Sequence, residues 1–340
     1  MFRNFGDNDT STDIGIVTSG VWQDGASSIT SFYSSSTQYT NTGDYNIDVY
    51  RYDPANNTSA SVQFGVVYGH REGSGSLGTI GATGDRTTAA VFGQFNSLLN
   101  PPETTAFTFQ NNTTSEHFYA LVLNRARMRE AIEPGGWELH LANGIANKIK
   151  LIDDSSTNKG GNTYQRNFAP EYNIVSGTLV GGTTINTAAS SEDSTMGSYG
   201  TFYPSLGMII LNAERLSGAP LGLVTLSGSN ADNRNNRLMF NSIVSGSYFQ
   251  MKRKEEITST HYFVRATSQE FNATTNETFY TESISGVKQV IAGLATDPKT
   301  YITTVGLYND ASELLAVAKL SKPILKSTSR EALIKVKLDF

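Results

Sequence analysis

Residues 301–340 read YITTVGLYNDASELLAVAKLSKPILKSTSREALIKVKLDF. Two runs typical of β-strands, 301–308 and 313–320, flank the polar turn NDAS. Two such runs joined by a short turn predict a β-hairpin. Beyond Pro323, apolar and charged residues alternate up to the last residue, which predicts a final strand over 331–340 with one buried face. The sequence therefore predicts a C-terminal sheet module.

Seven residues of this module are candidates for structural and interface roles. In the final strand, Ile334 and every second residue after it share one face, and charged residues occupy the other. Most chain termini are loose and polar, so an apolar terminal strand is typical of one held in a sheet. The candidates are Tyr308, Leu315, Val317, Pro323, Val336, Leu338 and Phe340. The sequence leaves open which of them are core residues and which contact a neighbour.

The composition of the whole chain favours strands over helices. Of its 340 residues, 38% are hydrophobic and only 17% are charged, and Ser, Thr, Asn and Gly fill the deficit. That mixture suits strands joined by polar turns better than long surface helices. We predict a mainly β, α+β fold of antiparallel, sandwich-like sheets with a few short helices.

Charge and cysteine content argue against several classes of function. The net charge of −5 does not suit a nucleic-acid partner, and the lack of cysteine excludes thiolate zinc sites and disulfides. No apolar run reaches the roughly 20 residues needed to cross a bilayer. The first residues also lack the apolar core of a signal peptide. We therefore expect no nucleic-acid partner, no membrane insertion and assembly in a cytoplasm.

Strands are predicted throughout the first two thirds of the chain. The apolar run 118–123 is nearly continuous, which is typical of a strand buried on both faces. Further strands are predicted at 172–180 and 207–212. Residues 137–141 alternate, with Trp137 and every second residue inward. Glu138 and His140 of that strand are predicted to face outward.

Three helices are predicted between these strands. Asn124 is a suitable N-cap for a short helix that ends before Pro134. A second helix is predicted over 237–251, with Gly246 weakening its middle. A third is predicted over 285–294, where Val287 and later apolar residues follow helical spacing.

Shifts in composition predict three regions. We expect a mainly β N-terminal domain over 1–156 and a central region over 157–255, rich in glycine and polar residues, with short strands and a helix. The C-terminal β module is expected over 256–340, with its hairpin at 301–320 and its final strand at 331–340.

A search for catalytic and binding motifs yields none. The four histidines lack the spacing of metal ligands. Asp153 and Asp154 are adjacent, so on a strand they point to opposite faces and do not flank one glycosidic bond; a hairpin-end turn is the better interpretation. Phosphate-loop and nucleophile-elbow motifs are also missing. We predict no catalytic, cofactor-binding or metal-binding residue, and no enzyme activity.

Four segments of the chain together resemble one protein family. The first is the string from Tyr301 to Lys326 together with the terminal ALIKVKLDF. The others are YGHREGSGS at 68–76, LNRARMRE at 123–130 and STHYFVR at 259–265. They resemble virion structural proteins of marine, cyanophage-like, T-even-type contractile-tailed phages. The C-terminal hairpin and strand also resemble attachment modules of baseplate wedge and tail-fibre proteins.

The resemblance implies a structural subunit of a virion, in the tail baseplate. Its partners would be other tail or baseplate proteins, and it would form a homo-oligomer within a symmetric assembly built in the host cytoplasm. A tail-fibre or receptor-binding adhesin is an alternative, because Tyr, Ser, Asn and Gly serve glycan binding as well as protein contacts. A neck or head-decoration protein and a baseplate-borne hydrolase are the remaining alternatives.

Overall fold

The computed structural model describes residues 4–6, 8–35, 46–76, 86–101, 104–110, 113–156, 170–180, 183–186, 198–227 and 234–339. The protein is mainly β, with 46% strand against 17% helix, and the fold class predicted from the sequence is confirmed. The first eleven strands are β1 (Thr10–Gly20), β2 (Ser28–Ile29), β3 (Tyr33–Ser34), β4 (Ile47–Tyr50), β5 (Val62–His70), β6 (Phe107–Thr108), β7 (Thr114–Ser115), β8 (His117–Leu123), β9 (Ala131–Ile132), β10 (Glu138–Asn143) and β11 (Asn147–Asp153).

The second half of the chain follows the same pattern of short antiparallel strands. These are β12 (Tyr172–Val180), β13 (Thr183–Asn186), β14 (Gly200–Tyr203), β15 (Met208–Asn212), β16 (Phe249–Gln250), β17 (Lys252–Ala266), β18 (Tyr280–Glu282), β19 (Lys288–Val290), β20 (Lys299–Tyr308), β21 (Leu314–Ser327) and β22 (Ala332–Asp339). The helices are α1 (Thr87–Leu99), α2 (Arg125–Met128), α3 (Ala213–Ser217), α4 (Arg234–Gly246) and α5 (Ala292–Thr296).

The chain forms two compact units. The larger unit is residues 16–255, and the smaller unit combines 1–15 with 256–340. One sheet of the larger unit contains strands from both 1–156 and 157–255. The structure therefore divides the chain differently from the three regions expected from sequence, although it also starts a new unit at residue 256.

The main sheet of the larger unit curls into a barrel-like ring. Its strand order is β2-β16-β10-β11-β12-β14-β15-β8-β5-β4-β3, with β13 beside β12. The two end strands, β2 and β3, are separated by only three residues, so their near ends lie at most about 14 Å apart. A flat sheet of this many strands would be roughly 50 Å wide. The sheet must therefore bend round until its two edges meet.

The inside of the ring is the core of the larger unit. Inward side chains from most of the strands form one apolar cluster, which also takes in Met239, Phe240 and Ile243 of α4. That helix contacts β10 near one end of the strand order and β5 and β4 near the other. The helix therefore packs where the two ends of the sheet come together.

Strand β8 is buried on both faces, as predicted. Tyr119 and Leu121 belong to the inner cluster, whereas Phe118 and Ala120 belong to a second cluster on the outer face. The outer cluster is covered by Phe92 of α1 and by neighbouring aromatic residues. The predicted strands at 172–180 and 207–212 are also confirmed, as β12 and β15.

The smaller unit contains a compact β-sandwich. One sheet includes residues 256–266 of β17, paired along its length with β22, and residues 10–15 of β1. The other sheet is the hairpin of β20 and β21. Val305 and Leu307 of the hairpin and Ile334 and Val336 of β22 form the buried core between them. The strands β18 and β19 form a separate small hairpin.

Two predicted helices are wrong in their extent. Residues 285–294 form β19 and the start of α5, because pairing of β19 with β18 overrides the helical spacing of the apolar residues. The helix predicted over 237–251 runs from Arg234 to Gly246 instead. Gly246 ends that helix, where an added Cβ would lie 2.0 Å from the carbonyl oxygen of His140. Close packing of two backbone segments sets this boundary, and the spacing of apolar residues in the sequence does not reveal it.

Two further predictions near residue 130 are corrected. Asn124 caps a helix as predicted, its side chain accepting from the amide of Ala126, but α2 ends at Met128 and the next residues form β9. Glu138 was predicted to face outward and is instead buried. Its carboxylate accepts the backbone N–H of Leu179 at 2.7 Å and contacts His140 at 2.5 Å, and these partners compensate its burial.

Candidate assembly surface

The C-terminal hairpin is held at its turn by one side chain. Asn309 Oδ1 accepts the backbone N–H of Glu313 at 2.8 Å, and its Nδ2 donates to the Glu313 carboxylate at 2.7 Å. An asparagine that bonds the backbone a few residues later closes a turn on its own, without tertiary contacts. The hairpin predicted from the NDAS turn is therefore confirmed, with β20 and β21 paired from Lys299 to Tyr308.

The two faces of the hairpin have different surroundings. On the inner face Val305 lies opposite Ala318, and Leu307 lies opposite Ala316. Both larger residues are buried against β22. On the outer face Gly306 lies opposite Val317, and that side of the hairpin is exposed.

The outer face carries a continuous group of exposed apolar side chains, which we call the hairpin face. Its members and their exposed fractions are Tyr308 (44%), Leu314 (52%), Leu315 (68%) and Val317 (57%). A lone exposed leucine needs no explanation, but four neighbouring apolar residues without a charged member form a patch. Such patches mark interaction sites in soluble proteins.

A β-bulge produces this arrangement. Leu307 pairs with Ala316 and Tyr308 pairs with Leu314, so Leu315 is the extra residue of the bulge. Bulges re-aim side chains relative to the simple alternation of a strand. Gly306 supplies the space beside it, since an added Cβ would lie 2.9 Å from the Tyr308 ring and 3.3 Å from Leu314. The patch depends on both features.

The seven candidate residues separate into core and surface. Tyr308, Leu315 and Val317 lie on the hairpin face, and Val336 is in the core. Leu338 is half-buried against that core. Phe340 lies outside the described residues.

Pro323 lies at an irregularity inside β21. Ile302 pairs with Ile324, whereas Thr304 pairs with Lys319, so four residues of β21 bulge out opposite Thr303. Proline has no N–H for the ladder, and bulges are among the few strand positions that tolerate it. The sequence predicted that the hairpin ends before Pro323, but the pairing between β20 and β21 continues beyond it.

The final strand alternates as predicted. Ile334 and Val336 are buried, while Lys335 and Lys337 are exposed. The pairing with β17 extends to Asp339, whose carboxylate accepts the Ser259 hydroxyl at 2.6 Å. That hydrogen bond, and then the one from Lys337, lowers the pKa of Asp339.

Sequence reasoning missed three exposed apolar residues of the hairpin and the final strand. They are Leu314, Tyr301 and Leu333, at 52%, 64% and 66% exposure. The tandem Leu314-Leu315 was the available signal for Leu314, because two adjacent apolar residues on a half-buried strand do not both face the core.

A cleft lies beside the hairpin, within the smaller unit; we call it the edge cleft. Its volume is about 1,040 Å³. It is lined by every residue from Thr300 to Asp310, by residues 263–266 of β17, and by Phe5 and Asp9 near the N-terminus.

Three titratable groups of the larger unit, His117, Asp153 and Asp154, have partners within the fold. The Tyr68 hydroxyl lies 2.9 Å from Nδ1 of His117, and burial lowers the pKa of His117 to about 4. Asp153 is fully buried and accepts the N–H of Gly135 at 2.8 Å, which identifies it as a structural carboxylate. Burial raises its pKa. Asp154 instead accepts the N–H of Asn173, so the two carboxylates have separate partners.

Within the described ranges, no group of three or more His, Asp or Glu side chains is arranged to hold a metal ion. Among those same residues, no helix is long and apolar enough to cross a membrane. Comparisons of the chain with protein-family models, curated proteins and solved structures found no match.

Proposed function

We propose that this chain is a non-catalytic structural subunit of a phage virion, located in the tail baseplate. The observation that supports the proposal is the hairpin face, a patch of four exposed apolar residues on one side of the hairpin. The resemblance of the 301–340 segment to baseplate attachment modules supplies the location. The proposed partners are other tail proteins and further copies of the same chain.

The physical argument rests on the cost of leaving such a patch in water. Burying apolar surface is worth about 25 cal/mol per Å², so a contiguous patch of large apolar side chains favours association with a partner that covers it. Obligate interfaces are typically apolar and exceed about 2,000 Å². A tyrosine beside aliphatic residues is typical of the anchors that carry most of the binding energy.

Cryo-electron microscopy of the virion that carries this protein tests the location. We expect density for the chain in the baseplate, with the hairpin face covered by a neighbouring subunit. Density on the capsid surface, in the neck or at a fibre tip would overturn the baseplate proposal. A fibre tip would favour the receptor-binding alternative.

Sedimentation velocity of the purified full chain tests the role of the patch. We expect the wild-type protein to self-associate or to co-sediment with tail proteins. Leu315→Lys and Val317→Lys should each weaken association at least tenfold, because a buried lysine without a partner is costly. Ile284→Lys is the matched control, since Ile284 is fully exposed in the same unit and lies outside the hairpin face. Equal behaviour of the three variants would remove the hairpin face from the interface.

A further inference from the structure

Strand β20 is paired on one side only. Its sheet consists of β20 and β21 alone, so the other edge of β20 carries no strand among the described residues. The edge cleft follows this edge. A pocket on one face of a strand is lined by alternate residues, whereas this cleft is lined by every residue from Thr300 to Asp310. It therefore runs along the backbone, where the outward N–H and C=O groups are.

The core of the smaller unit opens into the same cleft. Val305, Leu307 and Ile334 line it, and they are three of the four buried residues that form that core. Residues 263–266 of β17 form the opposite wall. The two sheets of the sandwich thus enclose a slot whose inner side is apolar and whose outer side reaches solvent.

The dimensions of the slot fit one strand. Given a rise of about 3.3 Å per residue, a strand spacing of about 4.8 Å and a sheet spacing of about 10 Å, a residue within a packed sheet occupies about 160 Å³. A volume of about 1,040 Å³ therefore corresponds to about six or seven residues. This volume lies at the upper end of the roughly 300–1,000 Å³ range of small-molecule pockets.

The charges that line the slot select the kind of strand. Asp9 and Asp310 are its two acidic residues, and the single cation, Arg265, is already paired with Glu331 at 2.9 Å. The excess charge is negative. A segment with basic side chains on its solvent-facing side complements it.

We propose that the edge cleft takes an extended strand of a different protein, about six or seven residues long, whose inward side chains are apolar and whose outward side chains include lysine or arginine. The added strand would pair with β20 and cover the open side of the core. A second copy of this chain is the less favoured donor, because all of its described strands already lie in sheets. Of the hairpin face only Tyr308 also lines the cleft, so Leu315 and Val317 test the hairpin face independently of this proposal.

Fluorescence anisotropy with the full chain and labelled peptides tests the proposal. The probe is the seven-residue peptide VKVTVKV, compared with the acidic VEVTVEV. A third peptide has the sequence of the probe with alternate backbone nitrogens methylated, which blocks one hydrogen-bonding edge. We expect the basic peptide to bind at least tenfold more tightly than either comparison peptide. Hydrogen exchange should show new protection at residues 300–308 when it is bound.

Two charge variants supply the matched control. Asp310→Lys reverses an exposed charge that lines the cleft, and Glu282→Lys makes the same change on β18, outside it. We expect the first variant to weaken binding of the basic peptide about tenfold and the second to leave it unchanged.

Three results would overturn the proposal. The first is equal binding of the methylated peptide, which would show that backbone pairing is not involved. The second is protection that appears outside the cleft. The third is self-association of the wild-type protein that is lost when the basic peptide is added, which would identify a second copy of the chain as the occupant of the cleft. Leu315 and Val317 lie outside the cleft, so their lysine variants test the proposed structural role separately from the peptide assay.

Discussion

The two units of this protein differ in how many of their apolar side chains are buried. In the larger unit, 34 buried residues share one core inside a sheet whose ends meet. In the smaller unit, four buried residues form the core, and apolar side chains of comparable size lie on its surface. The larger unit has the features of a domain that is complete by itself. The smaller unit has a small core and exposed apolar side chains on its surface.

Deleting residues 331–340 should have the largest effect on stability, and it should affect the smaller unit but not the larger unit. The deletion removes the β22 partner of every residue of β17 from Ser259 to Ala266 and two of the four core residues, while β1 stays on the other edge of β17. We expect those amides of 259–266 that donate to β22 to lose their protection from hydrogen exchange. The chain has two tryptophans, Trp22 and Trp137, and both are buried in the larger unit. Their fluorescence should therefore report an unchanged unfolding transition of the larger unit. Continued protection of those β17 amides in the truncated chain would contradict the expected difference between the two units.

Lys326→Met should destabilise the smaller unit by about 1–3 kcal/mol, the range for leaving a buried polar group without its partner. Lys326 is fully buried, and its ammonium group donates to Ser268 O, Asn272 Oδ1 and Ser327 O at 2.8–3.1 Å. Methionine has a similar shape but no donor, so Asn272 Oδ1 loses its partner, whereas Ser268 O and Ser327 O still accept from the Asn272 side chain and the Arg330 amide. Hydrogen exchange of β17 measures the loss. Lys322→Met, at an exposed position of the same strand, is the control and should change stability by less than about 0.5 kcal/mol.

Acid should destabilise the larger unit through His117. Its pKa is about 4 in the folded protein, chiefly because of burial and secondarily because of His70, against about 6.5 when unfolded. Between these values the unfolded chain binds more protons, so stability is full above pH 6.5 and falls as the pH drops toward 4. The loss is about 3 kcal/mol.

Urea unfolding followed by tryptophan fluorescence at pH 7 and pH 4.5 measures this dependence. His117→Gln keeps a polar side chain beside Tyr68 but cannot titrate. Its free energy of unfolding should therefore fall less between pH 7 and pH 4.5 than that of the wild-type protein, by most of the expected loss of about 3 kcal/mol. An identical pH dependence in the two proteins would show that other groups are responsible.

A pair of valines gives the smallest and most direct comparison of buried and exposed apolar residues. Val336→Ala should cost about 2 kcal/mol, because Val336 is buried in the core between the two sheets. Val317→Ala should stay within about 0.5 kcal/mol, because Val317 is 57% exposed. Protection of the amides of β17 measures both. A large cost at Val317 would mean that the hairpin face stabilises the isolated protein.

Elements that depend on local pattern were predictable from the sequence. The C-terminal hairpin and final strand, β8 and β12 follow from turn chemistry, alternation or a continuous apolar run. The helix predicted over 285–294 failed because apolar residues at helical spacing can equally belong to a strand and a short helix. Burial of Glu138 depends on an amide 41 residues away in sequence, which no local pattern contains.

The candidate surface was predictable only in part. Tyr308, Leu315 and Val317 were singled out correctly as residues of the module, but sequence did not distinguish them from the core residue Val336. Apolar residues look alike in sequence whether a fold or a partner buries them. The outward direction of Leu315 comes from a bulge, whose position depends on the register of two paired strands.

The way the barrel-like ring closes has a consequence for how the protein is made. Strand β2 pairs with β16, so the ring cannot close until Phe249 and Gln250 have been synthesised and can pair with Ser28 and Ile29. At a synthesis rate of about 5–20 residues per second, the interval between synthesis of the two strands is on the order of ten to forty seconds. Pairing between such distant segments also makes folding slow after release. Throughout that interval the nascent chain exposes unpaired strand edges, and we expect its yield to respond strongly to chaperone supply and to growth temperature.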